Sequence, residues 1–379
     1  MEKLCYIISC FDEYESRNKF VENFFIEQGY KVKTFISDFH HQKKEFLKVV
    51  PRENVELIHT ITYSKNFSIA RIRNHYLFAK KAANIVKTER PDVVYANIPP
   101  NFVSLYMGKC RKRGFVTKLI FDVYDMWPET MTFGKSSLLL KLPFKLWSFI
   151  RNKNINYADL TITACKLHEE ILKKQGVKNL RTIHLLKEKN LSFDVIPKDY
   201  DLSEIKLCYL GSVNNIINID MICNVIREIK KYKNVHLSFV GSGENKKYFL
   251  QRVKEVGCKV TDYGAVYDDN EKEKILLQCH FGLNIMKPQV CVGLTLKSLE
   301  YFSCALPIIN TIPCDTENLI STYMAGINVY NKLEDLGDMI QFLTVEGLYK
   351  MKNNTLRLFN ENLSVFHFNK EFKQIYNII

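Results

Sequence analysis

Short apolar runs alternate with longer amphipathic stretches along the whole chain. In the first half, Leu4 to Ser9, Lys31 to Ile36, Val55 to Thr62, Val93 to Ala96, Lys118 to Phe121, Leu160 to Ala164 and Arg181 to Leu185 read as strands. Between them, Lys19 to Gln28 and Asn74 to Lys87 have helical periodicity. Strands that are apolar nearly throughout, alternating with helices, predict a parallel sheet covered on both faces. Around Asp194 to Glu204 the period is lost and Pro197, Asp199, Tyr200 and Asp201 gather, which predicts an interdomain linker. The alternation then restarts with strands at Ile205 to Leu210, His236 to Val240, Lys259 to Tyr263, Phe281 to Met286, Leu306 to Asn310 and Ile327 to Tyr330. The expected division is residues 1–196, residues 197–360 and a helix-like tail, 361–379, carrying Phe366, Phe368, Phe372 and Tyr376.

A chain of 379 residues suits two domains of ordinary size, and 46% hydrophobic with 25% charged residues is a globular composition. The net charge of +13 and pI of about 9.0 suit an anionic partner. Nucleic acid, an anionic membrane face and a nucleotide-linked substrate all qualify, and a plain surplus of lysine gives the same number. Nothing beyond charge speaks for nucleic acid, so none is expected. The eleven cysteines lack any Cys-x-x-Cys pair and sit in or beside apolar runs, as small buried residues in a reducing compartment would. Leu4 to Cys10 is too short for a signal sequence, and Lys141, Pro143 and Lys145 interrupt the longest apolar stretch. A cytoplasmic protein is expected.

In parallel sheets ligands collect beyond the carboxyl ends of the strands. In the first half these loops carry Asp12, Glu13, Glu15 and Arg17, then Asn97 to Asn101 with Pro99, then Asp122 to Thr130. The first loop is not glycine-rich, which argues against a dinucleotide site. In the second half they carry Gly211, Ser212, Asn214 and Asn215, then Gly241 and Gly243, then Tyr263 and Gly264. The densest stretch is Phe281 to Asn310, a strand, a loop, a helix and a strand within thirty residues. A loop opening onto a helix aims backbone N–H groups at the positive end of the helix dipole, which suits a phosphate. Lys297 would add a cation in the first turn, and Glu300, one turn on, could hold ribose hydroxyls. On spacing alone an ordinary βαβ unit explains these residues equally well.

From Leu138 to Asn152 apolar residues alternate with Lys141, Lys145 and Arg151. Such a helix either packs on its own sheet or lies on an anionic membrane, where Lys109, Arg111, Lys112 and Arg113 would add to the same surface.

The string Gly293-Leu294-Thr295-Leu296-Lys297-Ser298-Leu299-Glu300-Tyr301-Phe302, followed by Leu306-Pro307-Ile308-Ile309, resembles the donor-binding segment of glycosyltransferase family 4. Members have the GT-B fold, two Rossmann-like domains facing across a cleft. Glu300 matches the second glutamate of the family's paired motif, and Val292 stands at the first. Ser212 and Ile217 occupy the places of an arginine and a lysine that grip the donor diphosphate. Asp125, Trp127, Pro128 and Glu129 match a first-domain segment in which Tyr124 replaces a basic residue. Pro99-Pro100 and Gly241-Ser242-Gly243 resemble further family turns. In the family, Tyr263-Gly264 would seat the base and the last helix would return to the first domain.

The resemblance implies a retaining, metal-independent sugar transfer from a nucleotide-sugar co-substrate, with no separate cofactor. Donor contacts would come from Gly211, Ser212, Asn214, Asn215, Gly241, Gly243, Tyr263, Gly264, Lys287, Gly293, Leu294, Thr295, Lys297 and Glu300. Tyr124 and Asp125 would join Glu300 at the reacting centre, with Asp12, Arg17, Asn97, Pro99, Trp127 and Glu129 on the acceptor side. The acceptor would be a glycan, of the undecaprenyl lipid-linked kind, in capsule, exopolysaccharide or other bacterial surface polysaccharide synthesis at the inner membrane face. The replaced glutamate, arginine and lysine leave a second reading open, a catalytically silent subunit that binds a partner or glycan. Asp199-Tyr200-Asp201 spells the metal motif of another transferase class but lacks that class's flanking strand.

Overall fold

The computed structural model describes residues 2–11, 17–65, 68–130, 141–189, 191–330 and 333–379. The chain forms two compact units, Met1–His184 with Phe368–Ile379, and Leu185–His367.

The first unit runs β1 (Lys3–Ser9), α1 (Asn18–Glu27), β2 (Tyr30–Ser37), β3 (Phe39–His40), β4 (Glu45–Phe46), β5 (Val55–Ile58), α2 (Ile69–Glu89), β6 (Val93–Ile98), α3 (Asn101–Lys112), β7 (Lys118–Val123), α4 (Lys141–Ile155), β8 (Leu160–Thr163), α5 (Lys166–Lys174) and β9 (Leu180–Thr182). Its seven-stranded sheet has the order β5-β2-β1-β6-β7-β8-β9, and every neighbouring pair is parallel. All six residues of β6, Val-Val-Tyr-Ala-Asn-Ile, are buried, as a central parallel strand with helices on both faces requires. The order reverses between β1 and β6, so the loops after these two strands diverge there and leave a crevice.

The second unit runs β10 (Glu204–Leu210), α6 (Ile219–Lys230), β11 (Asn234–Val240), α7 (Lys246–Glu255), β12 (Lys259–Gly264), α8 (Asp269–Gln278), β13 (Phe281–Asn284), α9 (Leu296–Ser303), β14 (Ile308–Asn310), α10 (Asp315–Tyr323), β15 (Gly326–Asn328), α11 (Glu334–Gln341) and α12 (Val345–Asn362). Its sheet order is β12-β11-β10-β13-β14-β15, again parallel, with the reversal between β10 and β13. In α6, Asn218 caps the Met221 N–H, Asp220 sits in the first turn and Arg227 and Lys230 in the last. Ile222, Val225, Ile226 and Ile229 make its buried stripe. Cap, dipole charges and apolar period all favour this helix.

Several boundaries depart from the apolar pattern for local reasons. The strand expected at Val55 to Thr62 stops at Ile58, because Thr60 turns to bond Asp38 through its N–H (2.9 Å) and Ser37 through its hydroxyl (2.9 Å). The helix expected from Asn74 begins at Ile69, where the Ser68 hydroxyl accepts from the Arg71 N–H. The small β3-β4 hairpin carries no signal in the apolar pattern. The division between units falls at His184/Leu185, ahead of the expected linker at Asp194 to Glu204. Lys187 bonds Glu300 at 2.6 Å and Lys189 bonds Glu273 at 2.7 Å within the second unit.

A further helix, α13 (Val365–Tyr376), ends the chain, and its residues from Phe368 on belong to the first unit. Phe372 meets Phe24, Phe25 and Tyr95 with ring centroids 5.0, 6.3 and 6.1 Å away, and Tyr376 lies 5.1 Å from Phe25. These edge-to-face contacts put the quadrupoles in a favourable arrangement and seal the aromatic side of α1. Replacing the fully buried Phe372 by alanine is expected to lower unfolding free energy by about 3–5 kcal/mol in urea denaturation. A loss below about 1 kcal/mol would mean that the helix is not seated on this core.

Candidate functional site

In the second unit three turns meet at the carboxyl edge of the sheet. Gly211 follows β10 with φ +102°, and its N–H donates to Val240 O at 2.8 Å. The Gly241 N–H donates to Gly264 O at 2.6 Å, and the Val213 N–H to Ser242 O at 2.8 Å. A Cβ on Gly241 would collide with the Gly211 carbonyl, and one on Gly243, at φ +122°, with the backbone of Val213. Here glycine is required both by the positive φ and by the approach of backbone to backbone.

Lys297 reaches into this glycine-walled corner from the first turn of α9. Its Cε lies 3.3 Å from where a Cβ of Gly211 would stand. Its ammonium donates to the Tyr209 hydroxyl at 2.8 Å and lies 4.1 Å from the centre of that ring. The side chain meets no carboxylate among the described residues, and burial pushes its pKa down to about 7. Thr295 caps α9 by accepting the Ser298 N–H at 3.0 Å. Helix geometry leaves the N–H groups of Leu296 and Lys297 with no partner inside the helix. The loop before them is held from α10, whose Thr316 donates to Gly293 O through its N–H (2.9 Å) and its hydroxyl (2.7 Å). Leu294 and Thr295 are buried.

The other sequence-selected residues of this unit fall around the same edge in different states. Ser212 and Asn215 are exposed, and the Asn215 carbonyl oxygen accepts from Asn245 at 3.2 Å. Asn214 accepts the Ile216 N–H at 3.2 Å. The backbone N–H of Lys287 donates to Ile216 O at 2.9 Å, and Tyr263 is exposed beside Gly264. Glu300 is already engaged: Lys187 donates to its carboxylate at 2.6 Å and Lys272 stands 3.7 Å away. Lys187 and Lys272 gave no signal in the sequence, since Lys187 lies 113 residues from Glu300 and Lys272 sits on the separate helix α8.

In the first unit Arg17 is fully buried and pairs with Asp122 at 3.1 and 3.2 Å, and the Tyr95 hydroxyl bonds the same carboxylate. Burial raises the Asp122 pKa above the usual carboxylate range in spite of the Arg17 charge and the Tyr95 hydrogen bond. The Arg17 guanidinium also lies 4.9 Å from the Tyr124 ring, and its backbone N–H donates to the Tyr124 hydroxyl at 3.3 Å. Arg17 is thus an interior cation that orients Tyr124. Asn97 is buried opposite Asp122 in the register of β6 and β7, and Pro99 is buried in the turn after β6. Asp125 is partly buried and accepts the Met126 N–H at 2.8 Å.

Glu129 makes a two-pronged pair with buried Arg151 of α4, both contacts 2.8 Å. Burial alone would raise its pKa, but the Arg151 hydrogen bonds prevail and hold it below the usual range. Trp127 lies under the Arg71 guanidinium at 4.4 Å and stacks with His75 at 6.0 Å. Asp12 lies outside the described residues. The structure therefore brings Arg17, Asn97 and Tyr124 together around Asp122, and ties Glu129 and Trp127 to α4 and α2. Among the described residues no group of three or more His, Cys, Asp or Glu is placed to hold a metal ion.

Residues 23–185 match the family described as Glycosyltransferase Family 4, and residues 204–344 the one described as Glycosyl transferases group 1. Among curated proteins no sequence matches. Among solved structures, the sucrose-phosphate synthase of Thermosynechococcus elongatus aligns with 99% of this chain and 98% of its own, at TM-score 0.70 and 12% identity. The Anabaena protein HepE, in complex with UDP and glucose, aligns over 100% of both chains at TM-score 0.64 and 11% identity. The lipopolysaccharide outer core galactosyltransferase WaaB, in its apo form, aligns over 99% of both at TM-score 0.63 and 13% identity. At such identities the likeness to these structures is one of fold, and the two family matches carry the assignment. The chain carries a family 4 glycosyltransferase domain in its first half and a glycosyl transferases group 1 domain in its second, and it has the GT-B fold.

Proposed function

We propose that the second unit binds a nucleotide-sugar donor and that its sugar passes, with retained configuration and without a metal, to a glycan held by the first unit. One observation carries the donor half, namely the Lys297 ammonium above the Gly211 turn at the head of α9. A diphosphate in that corner would meet the α9 N–H groups, bare glycine backbone and one cation in a half-buried setting. Charge growing on the departing diphosphate would be stabilised by the same groups, already oriented. Ribose hydroxyls would share Glu300 with Lys187, and Tyr263-Gly264 would border the base. Uridine nucleotides are the first donors to try, since HepE is described in complex with UDP and with UDP-glucose.

On the acceptor side the reading assigns Asp125, Tyr124 and the turn at Pro99. The acceptor is a lipid-linked glycan of bacterial surface polysaccharide synthesis, a setting supported by the likeness to an outer core galactosyltransferase. No helix among the described residues is long and apolar enough to cross a membrane. Helix α4 nonetheless exposes Leu146 (58%) and Phe149 (55%) beside exposed Lys145 and Lys153, while Arg151, Asn154 and Ile155 on its other side are buried. An exposed apolar stripe edged by lysines suits the surface of an anionic bilayer.

The donor is tested by calorimetry and thermal shift with the uridine, guanosine, thymidine, cytidine and adenosine diphosphates and their sugar conjugates. A donor at a hundredfold over its Kd adds about 2.7 kcal/mol of stability. Lys297→Met should remove most of that gain, and no gain with any of them would end the donor assignment. The pH dependence has a definite sign. Because the Lys297 pKa is about 7 in the folded chain, below its unfolded value, the folded protein gives this proton up first. A bound diphosphate favours the ammonium, so binding takes up a proton above about pH 7. Affinity is expected to fall by about tenfold per unit from about pH 7 to 8.5, and to be flat in Lys297→Met. A flat profile in the wild type would remove Lys297 from the diphosphate.

The membrane half is tested with vesicles rich in phosphatidylglycerol. The double replacement Leu146→Ser and Phe149→Ser should cut co-sedimentation by about tenfold, because two exposed apolar side chains no longer enter the bilayer. Equal sedimentation of wild type and variant would exclude α4 as the membrane contact.

A further inference from the structure

Three asparagines stand side by side at the carboxyl edge of the second unit's sheet. Asn284 ends β13, Asn310 ends β14 and Asn328 ends β15, and the parallel register pairs Asn284 with Asn310 and Asn310 with Asn328. Asn284 and Asn310 are fully buried and Asn328 partly so. Their amides join in one line. Asn284 Nδ2 donates to Asn310 Oδ1 at 2.9 Å, and Asn310 Nδ2 donates to Asn328 Oδ1 at 2.8 Å. Asn310 also closes on its own turn, donating to Ile312 O at 2.8 Å and accepting the Ile312 N–H at 3.0 Å.

The two ends of the line reach helices. At one end Asn284 Oδ1 accepts from the Thr295 hydroxyl at 3.0 Å, and Asn284 Nδ2 donates to Ser298 Oγ at 3.1 Å. Thr295 and Ser298 hydroxyls are themselves 2.8 Å apart, and Thr295 is the α9 cap. At the other end Asn328 Nδ2 donates to Glu317 O at 3.2 Å and to Ser321 Oγ at 3.1 Å, both on α10. Each donor on the three amides is used. A buried polar network pays off in rigidity only when every member is satisfied, and this one is.

We infer that the Asn284-Asn310-Asn328 line is a positioning device for the diphosphate site, fixing the α9 cap so that the Leu296 and Lys297 N–H groups and the Lys297 ammonium hold one aim. The inference rests on the proposed donor site. The three residues touch no ligand in this account and act through Thr295 and Ser298. Plain helix capping needs only the Thr295 hydroxyl on the Ser298 N–H. It does not need three in-register buried amides, where apolar residues are the ordinary occupants of parallel strands. A fixed cap matters most for a ligand bound by backbone N–H groups, because those groups have no side-chain rotamer with which to adjust.

The test compares each nucleoside diphosphate of the set above with its parent nucleoside, by calorimetry at pH 7. For the diphosphate that the wild type prefers, Asn310→Leu should lower diphosphate affinity by about tenfold and leave nucleoside affinity within about twofold. Ser298→Ala, which removes one acceptor and keeps the cap, should lower it by about threefold. If Asn310→Leu does not fold, Ser298→Ala decides. General loosening of the unit would reduce nucleoside and diphosphate affinity together, and that outcome, or no change in either, overturns the positioning role. A wild type that binds no diphosphate more tightly than its nucleoside overturns the donor reading itself, and this inference with it.

Discussion

The carboxyl edge of the second sheet is built on backbone touching backbone. Gly211, Gly241 and Gly243 pack so closely that any side chain on the latter two would strike a neighbouring main chain. That single constraint organises what surrounds it. It opens a corner at the reversal between β10 and β13, where Val213 and Gly241 are bonded back to their neighbours and α9 presents its first turn. It also leaves room for a long side chain, and Lys297 lies over Gly211. A larger residue at 211 would crowd the Lys297 stem and would have to bear a φ of +102°.

Much of this was readable in the sequence because it is local. Continuous apolar runs give parallel strands, and paired glycines give turns. What was not readable is pairing over long separations. Arg17 looks like a loop cation, yet it is buried against Asp122, 105 residues on. Glu300 looks like an open acceptor, yet it meets Lys187 across 113 residues. Glu129 looks like a solvated acid, yet its partner is buried Arg151. No hydrophobic period encodes such partners, because each half is an ordinary charged residue until the sheet brings them together. The asparagine line was hidden for another reason. Each asparagine ends an apolar run, where polarity reads as the start of a turn, and only the register of β13, β14 and β15 puts the three in line.

The two units treat charge differently. In the first, two buried arginines are neutralised: Arg17 by Asp122, and Arg151 by Glu129. Breaking such a pair strands a charge out of water, which costs about 3–5 kcal/mol, so these residues are fixed in place whatever else they do. Tyr124 benefits from that rigidity, since its ring lies beside a guanidinium that has a fixed counter-ion. In the second unit Lys297 carries no comparable neutralisation. Its hydrogen-bond partner is a phenol, and desolvation is the first cause of its depressed pKa.

That contrast bears on the cations that family members place after the first strand of this unit. The position five beyond Ser212 is Ile217, which is 3% exposed, bridges to Met286 and packs in the apolar core. A lysine there would bury its stem among those side chains and desolvate its charge. Position 212 is exposed and holds a serine, so it offers a hydroxyl and no charge. On the donor reading, the corner then keeps one cation where the family pattern has two, and that cation comes from the opposite wall, on α9. On the same reading, a lysine whose pKa burial lowers to about 7 would attract weakly in an empty site and become a stronger partner once a diphosphate raised its pKa. Its interaction with the ligand would then be greatest when negative charge is greatest, which is the differential that transfer to an acceptor requires.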